Sequence, residues 1–173
     1  MSVHNTILWD QLKETDPKFT KRVAFGRKFT TIDAMWQVKR MTEIFGPVGK
    51  NWSYKTETKF VGEMPIVCIC EVSIEWSEQV IEGKKSIYKR HYYGPVPGCA
   101  TLLKENNRVD EDAPKKAMTD GMTKAFSHLG LSADVFMGAF DNIKYLSKLE
   151  EKYNVVIDKK SGVVTPVKKV ISK

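Results

Sequence analysis

The chain has 173 residues, is 42% hydrophobic, and carries 28 Lys and Arg against 21 Asp and Glu, for a formal net charge of +7. That length buries one sizeable core, so a single domain with a short tail is expected, and the charge makes a polyanion the first partner to consider against the plainer reading of a basic soluble protein. No run approaches the ~20 apolar residues that span a bilayer, and the amino terminus lacks a charged-then-apolar leader, so a soluble, cytoplasmic protein with no membrane partner is expected.

Asn5 to Lys13 reads as a short helix with Ile7, Leu8 and Leu12 on one side, broken at Asp16-Pro17. Val23 to Phe29 is short and interrupted by Gly26, and Arg27 and Lys28 are expected in a solvated loop. Thr30 or Thr31 then caps a second helix, Ile32 to Phe45, ending at Gly46-Pro47. Its apolar residues form two arcs, Ala34, Val38, Met41 and Phe45 against Ile32, Met35 and Trp36. That is the pattern of a sandwiched helix, whether inside one core or between a sheet and a neighbouring copy.

Three runs with a period of two follow. Trp52 to Phe60 sets Trp52, Tyr54, Thr56, Thr58 and Phe60 on one face and Ser53, Lys55, Glu57 and Lys59 on the other. After a hairpin break at Gly62 to Pro65, Ile66 to Trp76 alternates an apolar face through Cys68, Cys70, Val72 and Ile74 with Glu71, Ser73 and Glu75. Cys68, Cys70 and Cys99 are odd in number, and buried free thiols are expected over a metal or redox site. The third run, Ser86 to Tyr93, interleaves cations and aromatics: Tyr88, Arg90 and Tyr92 share one face, Lys89, His91 and Tyr93 the other. Such a strand can neutralise phosphates and stack bases, or be an ordinary sheet strand. Gly94 to Gly98, with Pro95 and Pro97, is expected to leave the strand as an irregular crossing.

Ala113 to Gly130 is the best-defined helix. Asp110, Glu111 and Asp112 supply a cap and favourable charge, Pro114 fits the first turn, and Gly130 is placed to stop it. Ala117, Met118, Gly121, Met122, Ala125, Phe126 and Leu129 form an apolar half, while Lys116, Thr119, Asp120, Thr123, Lys124 and Ser127 form a polar, net basic half with Lys115 on the border. The small residues Ala117, Gly121 and Ala125 leave an edge that a sheet or a neighbouring subunit could approach closely. Beyond Gly130 comes a mobile-looking stretch to Asn142, then a helix from Asn142 to Tyr153 on an Ile143, Leu146 and Leu149 stripe. Residues 154–173 read as a basic tail or an edge hairpin.

No glycine-rich phosphate loop is present, which disfavours a nucleotide-driven recombinase or helicase. His4, His91 and His128 stand apart from metal-ligand spacing, and Asp110 to Asp112 is explained by helix capping before a metal-dependent nuclease need be invoked. No catalytic residue, metal ligand or cofactor site is assigned.

The segment Lys115 to Gly130, KKAMTDGMTKAFSHLG, resembles the signature helix of the Rad-fifty-two family of single-strand annealing proteins, which includes many phage recombination proteins. Glu43-Ile44-Phe45-Gly46 followed by Gly49 and Trp52 is similar to the family's turn from helix into first strand, and Tyr93-Gly94 to Gly98 is a weaker match. The resemblance covers residues 32–146. It implies an α+β fold with a curved antiparallel sheet of at least three strands across a long helix, flanked by shorter helices and assembled into a multimeric ring. Single-stranded DNA would be held by its backbone in a basic groove of that ring. Residues 1–153 would then be the annealing domain, active without ATP in homologous recombination.

Carried over by motif, the DNA-binding positions are Lys115, Lys116, Lys124 and Trp52, with Thr123 standing where the family has a basic residue. Lys55, Lys89 and Arg90 join them on charge and strand position. The implied partners are single-stranded DNA, further copies of the chain, and a host or phage single-strand-binding protein or exonuclease. The alternatives are a single-strand-coating protein without annealing activity and a metal-dependent nuclease.

Overall fold

The computed structural model describes residues 6–23, 29–104 and 106–167. The chain divides into two compact units, one made of 1–37 with 129–173 and the other of 38–128. It is an α+β protein with antiparallel sheets of two, three and two strands.

In the first unit, α1 (Ile7–Leu12) leads through a 3₁₀ turn at Pro17–Phe19 into β1 (Thr20–Val23), which pairs antiparallel with β2 (Phe29–Ile32). The expected start of the first helix at Asn5 and the loop carrying Arg27 and Lys28 lie outside the described residues. Helix α2 spans Ala34–Phe45, and its first turn belongs to this unit. Its cap differs from expectation. Asp33 takes the Met35 and Trp36 amides on its Oδ1 at 2.8 and 3.0 Å, while Ile32 and the threonines before it pair in β2. A carboxylate next to the first turn, aided by the helix dipole, outcompetes hydroxyls already committed to a strand.

The stretch after Gly130 is structured, contrary to its mobile look in the sequence. It forms α4 (Ala133–Phe136) and a 3₁₀ turn (Ala139–Asp141), and Leu131 through Asp134 are buried. Asp134 explains this order. Its carboxylate accepts from the Thr15 amide at 2.8 Å, the Thr15 hydroxyl at 2.6 Å and the Tyr145 hydroxyl at 2.6 Å. One buried carboxylate thereby ties the stretch after Gly130 to Thr15, 119 residues earlier, and to α5. Burial pushes the Tyr145 hydroxyl well above the usual phenol range, and its bond to Asp134 acts in the same direction. Helix α5 (Ile143–Tyr153) presents Leu146 and Leu149 to a cluster with Phe140, Val155 and Ile157. The last two belong to β6 (Val155–Ile157), paired with β7 (Val164–Pro166), so residues 155–166 form a hairpin whose first strand is part of this core.

The second unit is a three-stranded meander with a helix on one face. Strands β3 (Trp52–Val61), β4 (Ile66–Glu82) and β5 (Lys85–Leu103) pair in the order β3-β4-β5. Helix α3 (Ala113–His128) buries Ala117, Gly121, Met122, Ala125 and Phe126. The matching sheet face supplies Trp52, Cys68, Cys70, Val72, Ile74 and Val96, all buried. Cys68 and Cys70 are buried free thiols as expected, whereas Cys99, also free, is exposed.

Strands β4 and β5 run well past the expected ends. Gly94 to Gly98 stays in the ladder, with a register shift opposite Ser73. The prolines are tolerated because β5 is an edge strand. Two residues after Pro97, the Cys99 amide points away from β4, to the Asp120 carboxylate at 3.0 Å, so the donor that Pro97 lacks is one the ladder does not use.

The small-residue edge of α3 is filled by the sheet. A Cβ added to Gly98 would lie 2.0 Å from the Ala117 carbonyl oxygen and 2.2 Å from the Gly121 nitrogen. One added to Gly121 would lie 2.7 Å from a Val72 methyl and 3.1 Å from the Cys70 carbonyl. Glycine at both positions brings the two backbones into contact.

Candidate nucleic-acid interface

Because β3 and β4 pair Trp52 with Trp76 and β4 continues to Glu82, the far halves of β4 and β5 leave the sheet as a two-stranded ribbon. The face of β5 opposite α3 carries Tyr88, Arg90 and Tyr92 in succession. Tyr88 is 63% exposed and Tyr92 58%, and Arg90 is exposed. Steps of two residues along a strand space these side chains by roughly 7 Å.

The row continues across the sheet. Tyr92 pairs with Glu75 and donates its hydroxyl to Ser73 at 2.9 Å, and Lys55 of β3 reaches Glu75 at 2.8 Å. The Lys55 ammonium holds the Glu75 carboxyl below the usual carboxylate range, with Arg90 adding to the effect. Glu75 in turn raises Lys55. Arg90 and Lys115 make no ion pair with any described residue. This face therefore offers two exposed phenol rings, an uncommitted guanidinium between them and an ammonium at the end.

The remaining positions lie elsewhere. Lys89 falls on the α3 side of the ribbon and pairs with Glu82 at 2.7 Å. Lys115 and Lys116 are exposed in the first turn of α3. Lys116 bonds Asp110 at 2.6 Å, which raises the lysine and lowers the carboxyl. Asp110 also accepts the Asp112 amide at 3.2 Å, so it organises the turn before the helix. Lys124 bonds Asp120 at 2.6 Å, and its ammonium lies 3.5 Å from the Pro97 carbonyl oxygen, beside β5.

Trp52 requires correction. It is 2% exposed, edge-on to Phe126, and donates its indole N–H to the Gly46 carbonyl at 2.8 Å. A ring held on every side has no face for a base. Its motif position next to Gly46 and Gly49 is accounted for by this turn, in which the Gly49 amide also bonds the Trp52 carbonyl at 2.7 Å.

No protein-family model matches the chain, and no curated protein matches it.

Thr119-Asp120-Gly121 has a structural account. Asp120 bonds a strand amide and a lysine, while Gly121 admits the sheet, so the motif clasps α3 to the edge of β5. Among the described residues no group of three or more His, Cys, Asp or Glu converges as a metal site requires. Among the described residues no helix is long and apolar enough to cross a membrane.

Tyr88 and Tyr92 join the interface beyond the residues expected from charge and motif, and the sequence carries their signal. They stand two residues either side of Arg90, which in an extended strand puts them on its face. What period two could not supply was which face the helix would cover.

Proposed function

We propose that the chain binds single-stranded DNA and promotes pairing of complementary strands without a nucleotide cofactor, as a self-associating protein related to the Rad-fifty-two family. The observation that carries this reading is the exposed Tyr88, Arg90 and Tyr92 row with Lys55 at its end. Phenol rings stack on bases of any sequence, and the cations between and beside them attract the backbone. The net charge of +7 adds a long-range attraction for a polyanion. The two motifs that resemble the family, at Phe45 to Trp52 and at Lys115 to Gly130, support it independently of the row.

Annealing needs no bond-making group. Two complementary strands repel through their phosphates and fold on themselves; a surface that neutralises the backbone and extends the strand lowers both barriers. The strand would run along the ribbon face; Lys115 and Lys116, in the first turn of α3 on the other side of the sheet, would form a separate phosphate-contacting cluster. The Lys116 pair with Asp110 lies at the surface, where solvent weakens an ion pair, so a phosphate can replace the carboxylate.

The test is to mix complementary oligonucleotides with the protein, without nucleotide, with and without magnesium. Faster pairing supports the proposal. Binding without faster pairing would indicate a coating protein, and cleavage dependent on magnesium a nuclease.

A further inference from the structure

Two lysines of β3 lie on the side of the sheet opposite α3, and they are held differently. Lys59 sits between two carboxylates, Glu57 at 3.3 Å and Glu71 at 3.0 Å. Among the described residues Lys55 pairs with one, Glu75 at 2.8 Å. Removing either partner of Lys59 leaves it paired, whereas removing Glu75 releases Lys55.

The side chains that surround Glu75 on this face are all donors. The strand register sets Ser53 and Tyr92 directly opposite it and Lys55 and Arg90 on its diagonals, with Ser73 and Ser77 two residues away along β4. The Tyr92 hydroxyl donates to Ser73 at 2.9 Å, which pins a ring that is 58% exposed. The Ser73 hydroxyl accepts that bond and donates to no described residue. Arg90 adds to the positive field that keeps the Glu75 carboxyl low. One carboxylate thus lies among an ammonium, a guanidinium and hydroxyls, the donor set that a phosphate oxygen requires.

We infer that this cluster is a phosphate subsite, an inference that rests on the reading of the tyrosine row as a single-stranded DNA interface, and that Glu75 occupies it in the free protein. A backbone phosphate displaces the Glu75 carboxylate from Lys55, and the adjoining base stacks on the pinned Tyr92 ring. Both ions are open to that exchange, the Lys55 side chain being 76% exposed and that of Glu75 41%. Solvent weakens such a pair, and the incoming phosphate restores the charge that Lys55 loses. Glu75 then lowers affinity. When a phosphate takes Lys55, the released carboxylate recruits a counterion of its own, so Lys55 contributes little to net counterion release while Glu75 is present.

Fluorescence anisotropy of a labelled oligo-dT at several salt concentrations tests this on the full chain, with circular dichroism to confirm that each variant folds. Glu75→Gln is expected to bind several-fold tighter and to steepen the slope of log affinity against log salt by roughly 0.7–1 unit, the value of one phosphate contact. Glu71→Gln adds the same charge to the protein but leaves Lys59 with Glu57, so its effect is expected to be much smaller. Lys55→Ala is expected to abolish the gain of Glu75→Gln and to change the wild-type slope little, a coupling that independent sites would not show. An unchanged Glu75→Gln, an equal gain from Glu71→Gln, or a gain that survives Lys55→Ala would each overturn the subsite while leaving single-strand binding intact. A wild-type protein that fails to bind oligo-dT at low salt would overturn the functional reading, and the subsite with it. If Glu75→Gln does not fold, Glu75→Thr, whose branched side chain suits a strand, takes its place in the same comparison.

Discussion

Gly98 of β5 and Gly121 of α3 meet backbone to backbone: a methyl group on Gly98 would lie 2.2 Å from the Gly121 nitrogen, inside any real contact distance. Helix and sheet are held in register by the absence of two side chains. The Asp120 carboxylate beside them bonds Cys99, so the closest approach coincides with the clasp.

Gly98→Ala is expected to destabilise the protein by about 3 kcal/mol or more, because the clash is with two main-chain groups that cannot rotate away. Gly121→Ala is expected to cost less, about 1–3 kcal/mol, since its nearest obstacle is a Val72 methyl. On an open helix the same change would stabilise by roughly 1 kcal/mol. Urea unfolding measures both. A stabilised Gly121→Ala would show that the contact is looser than described.

Asp120→Ala leaves the Cys99 amide without its acceptor and is expected to cost about 1 kcal/mol. Asp120→Asn retains an acceptor and loses only an exposed ion pair, so it is expected to cost about 0.5 kcal/mol. Amide hydrogen exchange at Cys99 is the direct readout: protection should fall in the alanine variant and largely persist in the asparagine variant.

Asp134→Ala orphans the Thr15 amide, the Thr15 hydroxyl and the Tyr145 hydroxyl together, with an expected loss of about 3 kcal/mol or more. Alkaline pH tests the same network. A tyrosine in an unfolded chain ionises near pH ~10, whereas burial keeps Tyr145 protonated to higher pH in the fold. Between those limits the folded state holds a proton that the unfolded state has lost, so stability is complete below about pH 10 and declines above it. Tyr145→Phe should flatten this contribution. A wild-type melting profile as flat above pH 10 as that of the variant would contradict the assignment.

Arg90→Ala on the ribbon face and Lys115→Ala on α3 are each expected to lower the slope of log affinity against log salt by about one unit. Tyr88→Ala and Tyr92→Ala should each cost about 1–3 kcal/mol of binding, with little change in that slope, because stacking is not a counterion effect. Trp52→Phe is expected to lower stability through its lost bond to Gly46 and to leave affinity unaltered in the folded fraction. Fluorescence anisotropy at several salt concentrations separates these cases, and unaltered affinity in both tyrosine variants would remove the row from the interface.

Local patterning carried much of the fold. Alternation in β3 and early β4, the apolar half of α3 and the α5 stripe are properties of neighbouring residues, and they reappear in the structure with small changes of boundary. The errors have a common cause. Pro95 and Pro97 read as a break because proline usually ends a strand, but whether a missing donor matters depends on which side of β5 has a neighbour. Ser132 and Asp134 read as loop residues because they are polar, but Thr15 and Tyr145 make that stretch a buried network.

By itself the sequence determined the net charge, the α+β alternation of periods, the small edge of α3 and the aromatic-cation interleaving of Ser86 to Tyr93. Only the tertiary structure decided that the sheet occupies the small edge, that Trp52 is enclosed, that Lys55 lies on the face of Arg90 rather than on that of Lys89, and that Asp120 takes the outward Cys99 amide of β5. Periodicity says which residues share a face. Which face is covered, and which carboxylate meets which lysine, depends on contacts between residues far apart in the chain.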